Sequence, residues 1–91
     1  MRPLVSVIVP IYNAAPYLQE TLDSILASTY LPIEVVMVDD GSRDDSLQIA
    51  KSYCDQHPEC QVIAQENRGV SSARNTAIRA AKGIYILPVD A

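Results

Sequence analysis

Four short runs rich in β-branched residues alternate along this chain with three amphipathic stretches, which is the pattern of a parallel α/β sheet. The first run is Val5–Val9. Pro16 then suits the first turn of a helix, where its missing N–H is not needed. Leu18, Leu22, Ile25 and Leu26 recur at helical spacing and give that helix one buried stripe. Tyr30-Leu31-Pro32 is expected to end it. The second run, Ile33–Val38, is almost wholly apolar, as a strand covered on both faces should be. Ser42-Arg43-Asp44-Asp45 resembles a capping box, with Ser42 as N-cap and Asp45 at the third helical position. The helix it opens is expected to reach Tyr53, with Leu47, Ala50 and Cys54 facing inward. A third strand covers Gln61–Ala64. A third helix covers Val70–Lys82, with Gly83 as its C-terminal stop, and a fourth strand covers Ile84–Val89. Right-handed crossovers, together with polar strand ends that must converge, predict an all-parallel sheet in the order 3-2-1-4.

These elements occupy nearly all of the 91 residues and leave no repeat, low-complexity segment or linker. A chain of this length makes at most one small domain and buries about 60–65% of its unfolded surface. No element follows the fourth strand to cover its far side. Residues 1–91 are therefore expected to be the first part of a larger domain, cut after that strand. The open edge is expected to favour a homodimer.

An apolar share of 48% and a charged share of 20% suit a soluble globular fold and argue against disorder. Lys and Arg number 7 against 11 Asp and Glu, for a net charge of −4. No basic stripe is available to replace phosphate counterions, so nucleic acid is excluded as a partner. No run approaches the roughly 18 apolar residues that span a bilayer. The stretch Val5–Tyr12 reads as a strand rather than a signal segment: it is preceded by one Arg, interrupted by Pro10, and alternates. A cytoplasmic location is expected, with any membrane association of a longer protein at the inner face. Cys54 and Cys60 have no second Cys/His pair beside them and read as reduced, inert thiols. His57, in the polar stretch before Pro58, reads as a solvated loop residue.

Ligands of open α/β sheets bind beyond the carboxyl ends of the strands. Here those ends carry Pro10-Ile11-Tyr12-Asn13, Asp39-Asp40-Gly41-Ser42, Asn67-Arg68-Gly69 and Asp90. Neither a dinucleotide-binding glycine fingerprint nor a P-loop is present. Tyr12 offers a face on which a base can stack, or a cap on the core. Asp39 or Asp40 can accept hydrogen bonds from a ribose or a base N–H. Neighbours on a strand point to opposite sides, so one of the two is expected to face a ligand; alternatively both cap the next helix. Arg74 falls on the same helical face as Val70 and Ala77. A guanidinium facing the sheet needs an anion, either a buried Asp39, Asp40 or Asp90, or a ligand phosphate. Arg68, beside Gly69 and just before a helix N-terminus, is a second phosphate candidate.

Three stretches, Val5-Ser6-Val7-Ile8-Val9-Pro10-Ile11-Tyr12-Asn13, Val36-Met37-Val38-Asp39-Asp40-Gly41-Ser42 and Asn67-Arg68-Gly69-Val70-Ser71-Ser72-Ala73-Arg74-Asn75, closely resemble glycosyltransferase family 2. No one of them is specific; their order and spacing from Leu4 to the last residue are. The resemblance implies a three-layer α/β/α, Rossmann-like GT-A fold and a nucleotide-diphospho-sugar donor, usually a UDP-sugar, bound with Mg2+ or Mn2+. It implies that the Pro10, Tyr12 and Asn13 loop and an Asp of the Asp39-Asp40 pair hold the base and ribose. Leu87-Pro88-Val89-Asp90-Ala91 resembles the start of the family's Asp-x-Asp metal motif, with Asp90 as a metal ligand. The resemblance further implies inversion by direct attack of an acceptor, a saccharide or a lipid-linked one in cell-envelope polysaccharide synthesis. The general base lies beyond these residues in the family, so no catalytic residue is assigned.

Two other α/β modules fit worse. A phosphorelay receiver keeps its acidic pair after strand one and its phosphate-accepting Asp after strand three, where this chain has Tyr12-Asn13 and Asn67-Arg68. A dehydrogenase-type module lacks its glycine fingerprint here. A non-catalytic nucleotide-binding or regulatory α/β domain that keeps the fold remains the alternative to an enzyme.

Overall fold

The structure, a computed structural model, describes residues 3–27 and 32–90. Its elements are β1 (Val5–Ile11), α1 (Ala15–Ala27), β2 (Ile33–Asp40), α2 (Ser46–Gln56), β3 (Cys60–Gln65), α3 (Val70–Ala80) and β4 (Tyr85–Pro88). The strands form one parallel sheet in the order β3-β2-β1-β4, as expected from the sequence.

The order explains the layers. The steps β1 to β2 and β2 to β3 move one way across the sheet, whereas β3 to β4 returns past both central strands. A fixed right-handed crossover sends helices of opposite steps to opposite faces. Accordingly Leu18 and Leu22 of α1, and Ala50 and Tyr53 of α2, pack with Val7, Val9, Val35 and Met37 on one face. Ala73 and Ala77 of α3 pack with Ile8, Val36 and Val38 on the other. Alternate residues of β1 and β2 thus serve two cores, which is why both strands are apolar almost throughout.

Several local expectations shift. β1 runs on to Ile11 and β2 to Asp40, because the parallel ladder continues through Ile11 opposite Asp39 and Asp40 opposite Gln65. Tyr30 and Leu31, expected at the end of α1, lie outside the described residues. Ser42 does not cap α2. The helix starts at Ser46, its N-cap is Asp45, and neither makes the capping-box bonds. Ser42 Oγ instead accepts the Asn13 N–H at 2.9 Å, and Asp44 Oδ1 accepts the Ser46 N–H at 2.9 Å. Within α2 the fully buried positions are Ser46, Ala50 and Tyr53, while Leu47 and Cys54 are half-buried.

Gly83 is not a helix stop. α3 ends at Ala80 with Ala81 as C-cap, and Gly83 lies beyond, where a Cβ would stand 2.5 Å from Ser6 Oγ and 2.7 Å from the Leu4 oxygen. Close approach to β1 is what requires glycine there. A polar clamp surrounds it. The Glu34 carboxylate accepts the Ser6 hydroxyl and the Lys82 N–H, and Ser6 Oγ accepts the Gly83 N–H at 2.8 Å. Burial works to raise the Glu34 pKa, but these hydrogen bonds outweigh it and hold the carboxyl below its ordinary value. The clamp seats the start of β4 against β1. Beyond it β4 is exposed along its length, with Ile84, Tyr85, Ile86 and Leu87 all open. Among the described residues no helix is long and apolar enough to cross a membrane.

Candidate functional site

The carboxyl ends of β1 and β2, the loop after β3 and the first turns of α3 enclose a cleft of about 180 Å3. It gathers Pro10, Tyr12, Asp40 and Gly69 of the residues singled out in the sequence, and adds Ile11, Asn67, Val70 and Ala73. Tyr12 is 49% exposed, so it does not cap the core and its ring is open to a ligand. A larger open groove of about 470 Å3 runs between α1 and α2, past Gln19, Gln48 and Tyr53. It lies away from the strand ends, and Tyr53 within it is engaged, donating its hydroxyl to Asp23 at 2.8 Å.

The floor of the cleft is built by Asp40. Its carboxylate accepts the Arg68 N–H at 2.9 Å, the Gly69 N–H at 2.9 Å and the Gln65 side-chain amide at 2.9 Å. Burial alone would raise this carboxyl, but the Gln65 amide, the two backbone donors and the nearby Arg68 charge hold its pKa below the ordinary value. Asn67 completes the lacing, its Nδ2 donating to the Asp40 carbonyl at 3.0 Å. Gly41 makes the approach possible: its φ is +75°, and a Cβ there would stand 2.8 Å from the Asn67 nitrogen.

Asp39 points to the other face. It is 2% exposed, its Oδ2 accepts the Ser42 N–H at 3.1 Å, and its Oδ1 is buried without a hydrogen-bond partner among the described residues. A buried carboxylate oxygen left bare is costly unless something donates to it. The sequence could say only that the two aspartates part company across the strand. The structure shows that both carboxylate oxygens of Asp40 are engaged internally, whereas Asp39 Oδ1 has no partner among the described residues.

The neighbouring loops are stitched together. Asn13 sits at φ 51°, a conformation Asn tolerates, and its Oδ1 accepts the Arg43 N–H at 2.8 Å. Ala14 donates to Ser46 Oγ at 2.8 Å and Ala15 to Asp44 Oδ2 at 3.1 Å. The N-terminus of α1 is therefore capped by residues some thirty positions later, which no local sequence signal announces.

Arg74 departs from expectation. Its Nη2 is 3.9 Å from Asp90 Oδ1, with the two side chains 40% and 85% exposed, so this is a surface pair and not a buried one. Such pairs contribute only about 0–1 kcal/mol. The reason lies in the helix phase: Ala73 and Ala77 face the sheet, Val70 is exposed, and Arg74 sits on the flank. Its Nε, by contrast, is buried and unpartnered among the described residues. The Arg68 side chain is exposed. Asp90 is the one carboxylate at the end of β4, and the described residues hold no group of three or more Asp, Glu, His or Cys able to bind a metal. Among the described residues Asp90 thus stands as a lone carboxylate, with no second one beside it to complete a metal site.

Cys54 and Cys60 are free thiols. Burial pushes the Cys60 thiol up to about 12 and raises Cys54 too, which disfavours the thiolate form of both. His57 is half-buried rather than solvated: its ring stacks on Tyr53 at 4.3 Å and its Nδ1 lies 3.6 Å from Glu59.

Comparison with known proteins agrees with this geometry. The chain is 50% identical over 90 residues to the uncharacterized glycosyltransferase EpsJ of Bacillus subtilis (strain 168), covering 99% of this chain and 26% of that protein. It is 42% identical over 88 residues to the chondroitin synthase of Escherichia coli, covering 97% of this chain and 13% of that protein. The mannosyltransferase PcManGT from Pyrobaculum calidifontis, solved with GDP-Man and Mn2+, superposes with a TM-score of 0.89 at 38% identity, over 99% of this chain and 28% of that one. TarS 1–349 of S. aureus, solved with UDP-GlcNAc, superposes with a TM-score of 0.83 at 40% identity, over 99% and 26%. The chain thus spans about a quarter or less of each of these relatives. The family model of glycosyl transferase family 2 matches residues 6–91, nearly the whole chain, and the chain belongs to that family.

Proposed function

We propose that this chain is the donor-binding part of a metal-dependent enzyme that transfers a sugar, with inversion, from a UDP-sugar to the hydroxyl of a saccharide or lipid-linked acceptor in cell-envelope polysaccharide synthesis. The observation that carries the reading is Asp39 Oδ1, a buried acceptor with no partner among the described residues at the carboxyl edge of the sheet. In the register of the sheet Asp39 lies opposite Ile11, one residue before the open ring of Tyr12. A stacked base or its ribose, donating to that oxygen, satisfies both groups at once. The donors in the related structures, GDP-Man and UDP-GlcNAc, support the donor class.

The diphosphate falls to the positive side of the site. Arg74 has an unpartnered Nε and Arg68 an exposed guanidinium, and both suit phosphate oxygens. Asp90, largely exposed and held only loosely by Arg74, fits as one oxygen ligand of Mg2+ or Mn2+. Bound there, the ion would offset the charge that develops on the departing diphosphate. Asn13 braces the loop through its oxygen, which accepts the Arg43 N–H, and its side-chain NH2 is left to donate to the ligand. None of the described residues is assigned as general base.

A thermal-shift panel of UDP, GDP, CDP and dTDP, each with and without Mn2+, tests the reading on the full-length protein. Stabilisation by UDP that Mn2+ strengthens is expected. Indifference to all four nucleotides would refute donor binding, and a response to GDP alone would replace the base.

A further inference from the structure

We infer that Gln65 and Thr76 are positioning residues of the donor site, acting through Asp40 to set the Asn67-Arg68-Gly69 turn for a diphosphate. The inference rests on the donor-binding reading above. Neither residue lines the cleft, and neither belongs to the motifs by which the sequence resembles its family.

Gln65 is the last residue of β3 and the register partner of Asp40, so both side chains lie on the α3 face of the sheet. An ionised carboxylate only accepts hydrogen bonds, so the Gln65 amide must turn its NH2 toward Asp40 Oδ1, at 2.9 Å. That orientation leaves Gln65 Oε1 facing α3, where the Thr76 hydroxyl meets it at 2.8 Å. The hydroxyl has one proton and a second acceptor, the Ser72 carbonyl at 3.0 Å; the shorter contact is the one to Gln65. Thr76 thus fixes the amide, the amide fixes the carboxylate, and the carboxylate draws in two consecutive backbone N–H groups.

Those two donors, Arg68 N–H and Gly69 N–H, define the turn. Gly69 has φ 101°, a conformation that side chains rarely adopt, although a Cβ there would meet no atom within 4 Å. Glycine is therefore demanded by the path of the chain and not by crowding. A left-handed residue held by one buried carboxylate is a turn with few alternatives, and Asn67 and Gly69 present it to the cleft. The relay runs from the middle of α3 to that turn, and of its three side chains only Asp40 lines the cleft. Its loss should alter how the phosphate-facing side is set, while the base-facing side, at Tyr12 beyond β1 and at Asp39 on the opposite face of β2, stays as it is.

The test compares UDP with uridine, and GDP with guanosine, by calorimetry in the full-length protein with Mn2+. Thr76→Val keeps the shape and removes the hydroxyl; Thr76→Ser keeps the hydroxyl. Gln65→Met removes the amide and all of its hydrogen bonds, to Asp40, Ser72 and Thr76, at similar length, and guards against a special effect of one variant. In Thr76→Val and Gln65→Met, the nucleoside diphosphate is expected to bind about fivefold more weakly, the scale of one lost hydrogen bond. Nucleoside affinity should change by less than about twofold, and Thr76→Ser should behave as the wild type. If both ligands weaken in parallel, or the ratio of their affinities stays fixed, the relay is purely structural and the inference is overturned. If the wild type binds no nucleoside diphosphate, the donor-binding reading fails first and this one with it.

Discussion

Asp39 and Asp40 stand side by side at the end of β2, yet Asp40 accepts three hydrogen bonds through its carboxylate while one oxygen of Asp39 is buried and accepts none among the described residues. The strand pleat separates them: Asp40 faces α3 and the turn before it, and Asp39 faces the side of α1 and α2. Two identical side chains are thereby divided into a scaffold and a buried acceptor without a partner among the described residues.

Asp39→Asn is accordingly expected to weaken nucleotide binding, because an amide at this position offers a donor where the ligand also donates. Asp45→Asn is the proper control, since Asp45 is exposed and makes no side-chain cap bond. Titration calorimetry on the full-length protein should show a loss of about tenfold for the first and little for the second. Equal losses would remove Asp39 from the site.

Ser46→Ala tests the stitching of the loops. Ser46 is fully buried, and its Oγ accepts the N–H of Ala14, the residue just before α1. Without the hydroxyl that N–H is buried and unpaired, at a cost of about 1–3 kcal/mol. Urea melts should show the loss. A change below half a kcal/mol would mean that the loop relaxes and finds another partner.

Acid should unfold the protein by releasing Asp40 and Glu34, whose carboxyls are both held below their ordinary values. Since their folded pKa values are depressed, the stability they contribute is complete above the unfolded values near ~4 and is lost as pH falls through the folded ones. Stability measured from pH 6 downward should be flat until about pH 5 and then fall. Asp40→Asn should start lower and lose less in that window. A variant with the same acid slope as the wild type would exclude Asp40 as a source of it.

The open edge of β4 predicts association of the 91-residue chain in solution. Ile84, Tyr85, Ile86 and Leu87 are exposed in succession, beside unpaired strand N–H and C=O groups. Sedimentation should show concentration-dependent self-association that Leu87→Lys reduces. A clean monomer at high concentration would contradict it.

Much of this protein is local and therefore legible in the chain. The apolar runs of β1 and β2, the stripe Leu18 and Leu22, and the polar residues at each strand end specify a parallel sheet. Crossover handedness then orders it as 3-2-1-4. The capping of α1 is not legible, because Ser46 and Asp44 act on residues far back in the chain, and at α2 the capping-box pattern at Ser42 competes with the local bond from Ser46 N–H to Asp44. The place of Arg74 was missed for a related reason: a shift of one position in helix phase moves a side chain by about 100°, enough to turn a buried partner into a surface one. The Gln65–Asp40 pair needed the register of β3 against β2, which depends on where β3 begins and not on composition. Periodicity determines what each segment is and which way its residues alternate. Only the packed structure decides which polar groups meet, because hydrogen bonds are settled over fractions of an ångström and the partners lie some thirty residues apart.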